Sequence, residues 1–495
     1  MNFAQALLSV GAPEATALLT ASDTHTYAAL RQGVASQVAR LVALHVRPGD
    51  AVLIVSENSF FAVTAYLGAL WHGAIAIPLA TNLSVEQIRQ VAVSTRAKVA
   101  FVQEKGSPDF DEALSSTVLR VREGASSSAQ VTDSAGSAAA EVERDALAVL
   151  LFTSGSTSQP RGVMLTHGNL MANTDAILQA LGLQSADRAM MVLPFYYSFG
   201  ASLLHTHLKV GGSVVFDRRM MFPDKVLRRM QETACTGFAG VPSHFQILLR
   251  RSQFARMQFP DLRWIQQAGG KLAPHFIEEL ARAHPKVRMF VMYGATEATA
   301  RLTCLAPELT LSKLGSVGRP IPGVHIDVLD ENGLSVPRGV VGEIVASGPN
   351  IALGYWEAPE ESTATFRGGR LHTGDLARED DEGFLYIVDR AKDFIKCAGN
   401  RTSTKMLEET LLKFPDIVEA AVLGMPDETL GEAVAVWVVP RSASHDAQLA
   451  ERLVAFAREQ LAPPLVPKQV RVVSALPKNS AGKVMKRALR AETPA

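Results

Sequence analysis

In the first part of the chain, stretches with apolar residues at helical spacing alternate with short continuous apolar runs. Residues 26–45 and 58–71 carry apolar side chains at the spacing of one helix face. Each stretch leads into a short apolar run, residues 51–55 after a turn at 46–50 and residues 74–78 after the second helix. Helices and buried strands in alternation are typical of parallel sheets covered by helices, so we predict an α/β fold.

The same rhythm extends through the middle of the chain. We predict further helices over residues 84–94, 169–181, 223–233 and 243–250, and strands over residues 99–102, 146–152, 189–193, 213–216 and 237–241. Residues 106–142 interrupt the rhythm. The small residues of their second half predict a mobile surface connection.

The pattern changes again in the last part of the chain. Residues 315–355 alternate apolar and polar positions around Asn332-Gly333, a dipeptide typical of hairpin turns, so we predict an antiparallel β subdomain. The residues after 393 suit a small α+β domain. Its predicted elements are a helix over 403–412, strands near 418–423 and 434–438, and a helix over 447–461.

Length and charge narrow the class of protein. At 495 residues the chain exceeds what one hydrophobic core usually serves, so we expect two or more domains. Its 49 Lys and Arg residues balance 49 Asp and Glu residues, and 47% of the residues are hydrophobic. A chain without net charge offers no electrostatic attraction to nucleic acid or to an anionic membrane, so we expect small-molecule chemistry.

The cysteines and the N-terminal residues favour a cytoplasmic location. Cys235, Cys304 and Cys397 lie far apart, without the spacing of a disulfide framework or a metal site, so we expect reduced thiols. Residues 1–8 lack the basic region and cleavage site of a signal peptide. The longest apolar stretch, residues 67–80, is too short to span a bilayer, so we expect no transmembrane segment.

A loop rich in hydroxyl groups follows the predicted strand at 146–152. Its glycine and hydroxyl residues are Thr153, Ser154, Gly155, Ser156 and Thr157. Glycine lets backbone N–H groups turn toward an anion and the hydroxyls add neutral donors, so we predict a phosphate-binding loop. The Walker pattern does not fit, because the Gly482-Lys483 pair is followed by Val484. A solvated Ser/Thr-rich surface turn is the alternative on composition alone.

A second signal lies in residues 290–297, where an apolar strand precedes a tight turn, a hydroxyl and a carboxylate. Its members with useful chemistry are Tyr293, Gly294, Thr296 and Glu297. Mg²⁺ reaches bound phosphates through one or two protein carboxylates plus water, so Glu297 is our candidate metal ligand. A plain turn is the alternative for so short a string.

Other short stretches carry candidate residues of lower individual specificity. They are Tyr196-Tyr197-Ser198 at a predicted strand end, Gly269-Gly270-Lys271, Asp375 in a Thr-Gly-Asp string, Arg390 with Lys392, and Lys483 near the C-terminus. Their structural alternatives are core aromatic residues, an exposed lysine at a helix start, a charged surface hairpin and a solvated basic tail.

In their order along the chain these stretches resemble the signatures of the adenylate-forming (AMP-binding) superfamily. That superfamily contains acyl-CoA synthetases, aryl-acid ligases, luciferases and carrier-protein adenylation domains. The resemblance spans nearly the whole chain and implies a large N-terminal domain of stacked α/β sheets plus a β subdomain, over residues 1–391. It implies a small mobile α+β C-terminal lid domain over residues 392–495, with the hinge at Lys392.

The resemblance also implies which residues hold the nucleotide. In the family the loop matching residues 153–157 clasps the β- and γ-phosphates of ATP. Ser158 and Arg161 stand where the family usually has Gly and Lys, and Arg keeps the positive charge as a planar fork. Tyr293 is implied to lie beside the adenine ring, and Gly294 forms the turn of the same motif.

Further matched residues take part in the chemistry. The resemblance places Thr296 on phosphate and Glu297 on Mg²⁺. Asp375 is implied to accept both ribose hydroxyls, which suits a carboxylate, and Arg390 to touch the ribose or phosphate side. Lys483 matches the family's C-terminal catalytic lysine.

The resemblance implies a pocket for a carboxylic acid. Its matched residues are Tyr196, Tyr197, Ser198, Gly269, Gly270 and Lys271. Relatives that activate amino acids have Asp at the position of Tyr197, so an α-amino acid is disfavoured and an apolar acyl or aryl acid is expected. Gly399 matches the face that the thiol approaches, where Thr404 and Met406 replace a usual Pro and an acidic residue.

The implied reaction joins the acid to ATP as acyl-AMP, releases pyrophosphate and passes the acyl group to a thiol. Coenzyme A is the expected acceptor because the chain ends shortly after the lid, and the phosphopantetheine of an acyl carrier protein is the alternative. Two alternatives come from other classes: a luciferase-like oxygenase and a non-catalytic nucleotide-binding protein.

Overall fold

The computed structural model describes residues 1–103, 114, 118–124, 138–153, 161–390, 394–397, 400–441, 448–479 and 482–491. Its first elements are α1 (Phe3–Leu8), β1 (Thr16–Leu19), β2 (Thr24–Thr26), α2 (Tyr27–Ala43), β3 (Ala51–Val55), α3 (Phe60–Trp71), β4 (Ile75–Leu79), α4 (Val85–Ser94), β5 (Val99–Val102) and β6 (Leu119–Arg122). The strands β3 and β4 are buried along their whole length, as expected for strands covered on both faces.

The middle of the chain continues the alternation. Its elements are β7 (Leu147–Thr153), β8 (Arg161–Thr166), α5 (His167–Leu181), β9 (Arg188–Met191), α6 (Ser198–Val210), β10 (Ser213–Phe216), α7 (Pro223–Glu232), β11 (Gly237–Gly240), α8 (Pro242–Arg251), β12 (Trp264–Gln267), α9 (Pro274–Ala283), β13 (Arg288–Tyr293), β14 (Thr303–Leu305) and β15 (Arg319–Pro320). Proline at the first position begins α7, α8 and α9, where its missing N–H would have had no helical partner.

Two sheets form the core of the large N-terminal domain. One has the order β6-β5-β3-β4-β7-β8, parallel except for the last strand. The other has the order β15-β14-β13-β12-β11-β9-β10-β1-β2, with parallel pairs from β13 to β1. The carboxyl ends of β9, β11, β12 and β13 therefore meet at one edge, which is where open α/β sheets bind ligands.

An antiparallel sheet follows in the chain. Its elements are β16 (His325–Leu329), β17 (Gly342–Ser347), α10 (Pro359–Thr365), β18 (Phe366–Arg367), β19 (Arg370–Glu379) and β20 (Leu385–Arg390). The strand order is β16-β17-β19-β18, with β20 on the other side of β19. The predicted β subdomain is thus confirmed, and Gly333 in its left-handed turn (φ +79°) lies in the long connection between β16 and β17.

The small C-terminal domain has its own sheet and core. Its elements are β21 (Phe394–Cys397), β22 (Asn400–Ser403), α11 (Thr404–Leu411), β23 (Ile417–Asp427), β24 (Gly431–Pro440), α12 (Leu449–Gln460), β25 (Gln469–Val472) and α13 (Lys486–Ala491). The strand order is β22-β21-β24-β23, with β25 parallel to β24. The fully buried Trp437 belongs to one of the two apolar clusters of this domain.

The α/β class with a large N-terminal and a small C-terminal domain is confirmed. Two elements correct the sequence prediction. Residues 161–166 form β8, antiparallel to β7, where we expected the loop to lead directly into a helix. Residues 119–122 form β6, although they fall in the stretch predicted as irregular, whose second half lies largely outside the described residues.

Three further expectations from the sequence concern the domain boundary, the cysteines and a transmembrane segment. The domain boundary at 391 and 392 falls on residues outside the description and stays a prediction. All three cysteines are free thiols. No helix in the described part of the chain combines the length and apolarity that crossing a bilayer requires.

Candidate active site

Three predicted nucleotide residues meet where β13 faces the β subdomain. The Tyr293 hydroxyl donates to Asp375 Oδ2 at 2.7 Å, and Arg390 Nε donates to Asp375 Oδ1 at 3.0 Å. Asp375 and Arg390 are direct partners across β19 and β20, so strand register brings the carboxylate and the guanidinium together. Burial, reinforced by the Asp375 carboxylate, raises the pKa of Tyr293 well above its ordinary value, which keeps the phenol a donor at neutral pH.

The turn after β13 is built for close backbone packing. A Cβ on Gly294 would lie 1.9 Å from the carbonyl oxygen of Ala300, so only glycine fits there. The chain then enters a 3₁₀ turn at Thr296–Ala298, which carries the predicted hydroxyl and carboxylate. The Thr296 hydroxyl lies 3.2 Å from the Ser198 hydroxyl, which links the turn to the start of α6.

Glu297 is held by a residue that sequence analysis missed. The Tyr355 hydroxyl donates to Glu297 Oε1 at 2.8 Å, and burial next to that carboxylate raises the pKa of Tyr355. One carboxylate with bound phosphates and water suits Mg²⁺. Among the described residues no cluster of three acidic, His or Cys side chains offers a self-sufficient metal site. Glu297 therefore fits a metal that is bound jointly with phosphate.

The predicted phosphate loop spans the β7–β8 hairpin. Thr153 and Arg161 are register partners at its two ends. The residues between them, Ser154, Gly155, Ser156 and Thr157 with Ser158, lie outside the described residues. Arg161 forms an ion pair with Glu361 of α10, in which Nη2 donates to Oε1 at 2.8 Å and Nε lies 2.6 Å from Oε2. The carboxylate offsets the charge of Arg161.

The predicted pocket wall begins after β9. Tyr196 is buried and its ring centroid lies 5.0 Å from that of Tyr197, while Tyr197 is partly exposed. Helix α6 starts at Ser198. Ser198 also lines a small cavity, together with Asn173 of α5 and Ser202 of α6.

The second predicted pocket stretch follows β12. Gly269 has φ +80°, and a Cβ there would lie 2.8 Å from Val241 Cγ1. The carbonyl of Gly270 accepts from Gln267 Nε2 at 2.7 Å. Lys271 is not the exposed lysine of the structural alternative, because its Nζ lies 2.8 Å from Glu409 Oε1 of the small domain and its side chain is only 21% exposed. Its place in a substrate pocket stays a prediction.

The segment that carries Lys483 lies against the carboxyl edge of the large sheet. The Ser243 hydroxyl, just beyond β11, donates to the Gly482 carbonyl at 2.8 Å. Asn479 Oδ1 accepts from the Lys483 backbone N–H at 2.9 Å and fixes the turn, while the Lys483 side chain is exposed. Burial lowers the pKa of the adjacent His244 to about 4, so this imidazole is neutral near the lysine at neutral pH.

A buried carboxylate joins the two domains next to the predicted hinge. Asp389 Oδ2 accepts from the hydroxyls of Ser403 (2.8 Å) and Thr404 (3.2 Å) and from the backbone N–H of Lys405 (3.2 Å). Asp389 is fully buried. It therefore ties the last strand of the β subdomain to the start of α11. The predicted hinge Lys392 and the predicted thiol-approach residue Gly399 lie outside the described residues.

Sequence analysis missed Tyr355, Glu361, Asp389 and Ser243 because their roles depend on distant partners. The Tyr355–Glu297 bond spans 58 positions and the Ser243–Gly482 bond spans 239. No local spacing could have shown these pairs. Only Asp389 could have been recognised from the sequence. It lies directly before the candidate residue Arg390, and an aspartate can accept hydrogen bonds from the N–H groups at a helix N-terminus.

The family of AMP-binding enzymes matches residues 9–356, and the AMP-binding enzyme C-terminal domain matches residues 406–483. The chain belongs to this family of AMP-binding enzymes.

Relatives and solved structures agree on the class. A feruloyl-CoA synthase of Amycolatopsis sp is 32% identical over 97% of this chain and 96% of its own length. The crystal structure of a benzoate CoA ligase from Burkholderia xenovorans LB400 has a TM-score of 0.88 at 26% identity, covering 99% of this chain and 100% of that one. The anthranilate CoA ligase AuaEII in complex with anthranoyl-AMP shares the fold, with a TM-score of 0.91 at 24% identity over 99% and 97% of the two chains.

The chain is therefore an AMP-forming acid–thiol ligase of the acyl-CoA synthetase type. Its reaction uses ATP, Mg²⁺ and coenzyme A, and its other substrate is a small carboxylic acid.

Proposed function

We propose that this chain adenylates an aryl carboxylic acid at the edge formed by β9, β11, β12 and β13 and then forms the aryl-CoA thioester. The observation that carries the proposal is the placement of the Gly482–Lys483 turn on Ser243, on the same edge as the Tyr293–Asp375–Arg390 corner. An aryl substrate is supported by the similarity to a feruloyl-CoA synthase and a benzoate CoA ligase. The tyrosine pair after β9 offers flat apolar surface for a ring.

The first step needs positive charge and positioning more than a base. A carboxylic acid has a pKa of about 4, so it is already ionised at neutral pH and can attack the α-phosphorus directly. The obstacle is the approach of two anions. We assign Lys483 to the carboxylate and α-phosphate, and Thr296 to a phosphate oxygen. Asp375 accepts the ribose hydroxyls, and Arg390 holds that carboxylate in place.

Magnesium supplies charge neutralisation of the phosphates when it is bound, and Glu297 is the residue that would hold it. The Tyr355 hydroxyl orients this carboxylate through Oε1. Thr153 and the loop up to Thr157 are assigned to the pyrophosphate leaving group. Arg161 contributes there once it is released from Glu361.

The second step requires the small domain to rotate, and we retain Lys392 as its hinge, with the boundary after residue 391. Rotation breaks the Ser243–Gly482 and Lys271–Glu409 contacts and removes Lys483 from the acyl adenylate. The thiol then enters past Gly399, displaces AMP and forms the thioester. A carrier protein's phosphopantetheine presents the same thiol, so it is the second candidate acceptor. The cytoplasmic location stays a prediction.

The test is pyrophosphate release from ATP and Mg²⁺ with aryl, fatty and amino acids, each with and without coenzyme A or a phosphopantetheinylated carrier protein. We expect release with aryl acids and a thioester with coenzyme A. Lys483→Ala should lower adenylation by at least about 100-fold, the usual scale for removing a charge that stabilises a transition state. The matched control is Lys468→Ala, which removes a lysine of the same domain that pairs with Asp427 at 2.6 Å.

Specific results would contradict the proposal. ATP binding without release with any acid would point to a nucleotide-binding protein that does not turn over. Oxygen consumption with light emission would point to the luciferase type. If Lys483→Ala released pyrophosphate as fast as the wild-type protein, Lys483 would have no role in the mechanism.

A further inference from the structure

An ion pair between Lys271 and Glu409 crosses from the large domain to the small domain. Lys271 Nζ lies 2.8 Å from Glu409 Oε1, and the two side chains are 21% and 23% exposed. Lys271 follows β12 at the carboxyl edge of the large sheet, and Glu409 lies in α11. Removing either partner would leave the other charge partly buried and unpaired, so the docked arrangement of the domains depends on both.

The backbone that carries Lys271 is held firmly by the large domain. Gln267, which is only 1% exposed, donates from Nε2 to the Gly270 carbonyl at 2.7 Å. Leu272, directly after the lysine, is buried in the main apolar core. The large domain therefore fixes the place of the Lys271 ammonium group, and the small domain brings Glu409 to it.

The neighbouring residue of α11, Glu408, holds the helix that follows the proposed catalytic lysine, Lys483. Lys486 Nζ lies 2.7 Å from Glu408 Oε1 and donates to the Thr404 hydroxyl at 2.7 Å. Lys486 is the first residue of α13 and comes three positions after Lys483. Helix α11 thus contacts the large domain through Glu409 and the segment of Lys483 through Glu408.

The turn of Lys483 rests on the large sheet in the same arrangement. The Ser243 hydroxyl donates to the Gly482 carbonyl at 2.8 Å, just beyond β11, which pairs with β12 in parallel. The ion pair and the lysine turn are therefore docked beyond the ends of two adjacent strands. Because α11 and α13 are joined through Glu408, both contacts break when the small domain rotates.

We propose that Lys271 and Glu409 are a positioning pair that seats Lys483 for adenylation and opens before the thiol reacts. This inference rests on the proposed function and gives Lys271 a role in domain docking, not in binding the acid. Adenylation needs the docked arrangement and thioester formation needs the rotated one. The strength of the ion pair therefore sets the ratio of the two half-reaction rates.

The test measures the two half-reactions separately on the full chain. Adenylation is single-turnover pyrophosphate release from ATP and Mg²⁺ with benzoate or ferulate, whichever the wild-type protein uses faster. Thioester formation starts from the chemically prepared acyl-AMP of that acid and coenzyme A. A change in the docking equilibrium changes the ratio of these two rates by its full factor, whereas a loss of folded protein lowers both rates equally.

Lys271→Met and Glu409→Gln should each lower the ratio of adenylation to thioester formation by at least about 5-fold, as expected for a partly buried ion pair. The half-saturating acid concentration should stay within about 2-fold. The double variant should change the ratio no more than the single ones, because it leaves no charge unpaired. Lys313→Met is the matched control, since Lys313 lies 2.9 Å from Asp380, their side chains are 15% and 20% exposed, and both belong to the large domain.

Amide hydrogen exchange gives a second readout, which needs no turnover. The N–H groups of Gly482 and Met485 make backbone hydrogen bonds of 2.8 Å within the turn that Ser243 holds. Both amides should exchange faster in the two single variants than in the wild-type protein, because an undocked turn opens more readily. Their exchange should be unchanged in the control variant.

An unchanged rate ratio in both single variants, or unchanged exchange of the two amides, would overturn the inference. A higher half-saturating acid concentration in Lys271→Met alone would also overturn it, by placing this lysine in the acid pocket. Equal loss of both half-reactions would make the pair structural. No pyrophosphate release with any acid would instead contradict the proposed function, and hydrogen exchange would still test the docking contact.

Discussion

At the scale of single residues, Gly482 joins the lysine turn to the end of the large sheet, because its carbonyl accepts from Ser243. Its φ is +80°, and a Cβ would lie 3.1 Å from His244 Nε2 and 3.2 Å from Ser243 Oγ. We predict that Gly482→Ala slows acyl-adenylate formation by about 10-fold or more, since left-handed backbone costs other residues roughly 1–2 kcal/mol before any crowding is counted. The dissociation constant of ATP should stay within about 2-fold. Single-turnover pyrophosphate release measures the first quantity and equilibrium dialysis the second.

Gly333→Ala is the control for Gly482→Ala, because it introduces the same backbone strain away from the lysine turn. Gly333 has nearly the same φ, +79°, but nothing within 4 Å of an added Cβ, and it lies in the exposed turn between β16 and β17. It should lower stability by a similar amount and leave adenylation unchanged. If Gly482→Ala adenylated as fast as wild type, the docked position of the lysine turn would not be the one in which the reaction occurs.

The resemblance to the adenylate-forming superfamily implied nucleotide roles for Tyr293, Asp375 and Arg390, and the structure brings these three side chains together. Their roles stay a prediction. The pairing of Arg161 with Glu361 could not be predicted, since 200 positions separate the two residues.

At the scale of elements, α11 depends on a carboxylate from another domain. The Ser403 hydroxyl caps this eight-residue helix by accepting from Met406 N–H at 3.2 Å, and it donates at the same time to Asp389. We predict that Asp389→Ala lowers the free energy of unfolding of the small domain by about 2–3 kcal/mol, because three donors lose a buried acceptor. Asp330→Ala, in an exposed turn, is the control.

Denaturant titration followed by the fluorescence of Trp437, in the core of the small domain, measures this effect. The other tryptophans unfold with the large domain, so their transition should move less. A small-domain transition that is unchanged in Asp389→Ala would mean that the carboxylate contributes nothing across the hinge.

The helices and strands that the sequence predicted correctly are those that bury one or two faces, because burial makes apolar residues recur at a regular spacing. Strands β3, β5 and β10 were predicted to the residue, and each predicted helix agrees with the structure within two residues at both ends, whereas α1, α6, α9, α10 and α13 were not predicted. Strand β8 was missed because a glycine such as Gly162 usually interrupts a strand. In the structure Gly162 makes room for the Phe152 ring, which would lie 3.0 Å from an added Cβ. Strand β6 was missed because three of its four residues are exposed, which removes the apolar run that identifies a strand.

At the scale of the whole molecule, polar contacts among the described residues join the two domains in addition to those of the buried Asp389. Ser243 binds the Gly482 carbonyl, Lys271 pairs with Glu409, and Arg251 Nη2 donates to the Pro440 carbonyl at 3.2 Å. Partly exposed contacts of this kind contribute roughly 1 kcal/mol each. Such an interface can form and break during a catalytic cycle, as a two-step reaction with a rotating lid requires.

The pH dependence of stability is also a property of the whole molecule, because buried histidines connect α1 to the core. His167 Nδ1 accepts from the Phe3 N–H at 3.2 Å, and His205 lies 3.0 Å from the Tyr66 hydroxyl and packs edge-on against Phe3. Burial lowers the pKa of His167 to about 4 and of His205 to about 3, from an ordinary value of 6.5. The unfolded chain therefore binds protons that the folded chain excludes.

Stability should accordingly be complete above pH 6.5 and fall as the pH drops toward the lowered values. Each of these histidines should cost about 2 kcal/mol between pH 6.5 and pH 5, at about 1.4 kcal/mol per pH unit. Denaturant midpoints of the large domain at these two pH values measure the loss, before carboxylates such as Asp217, whose pKa lies below 3.8, begin to titrate. His205→Gln keeps a polar side chain that cannot titrate, so it should remove about 2 kcal/mol of this pH dependence. A pH dependence that His205→Gln leaves intact would show that His205 is protonated as readily in the folded protein as in the unfolded chain.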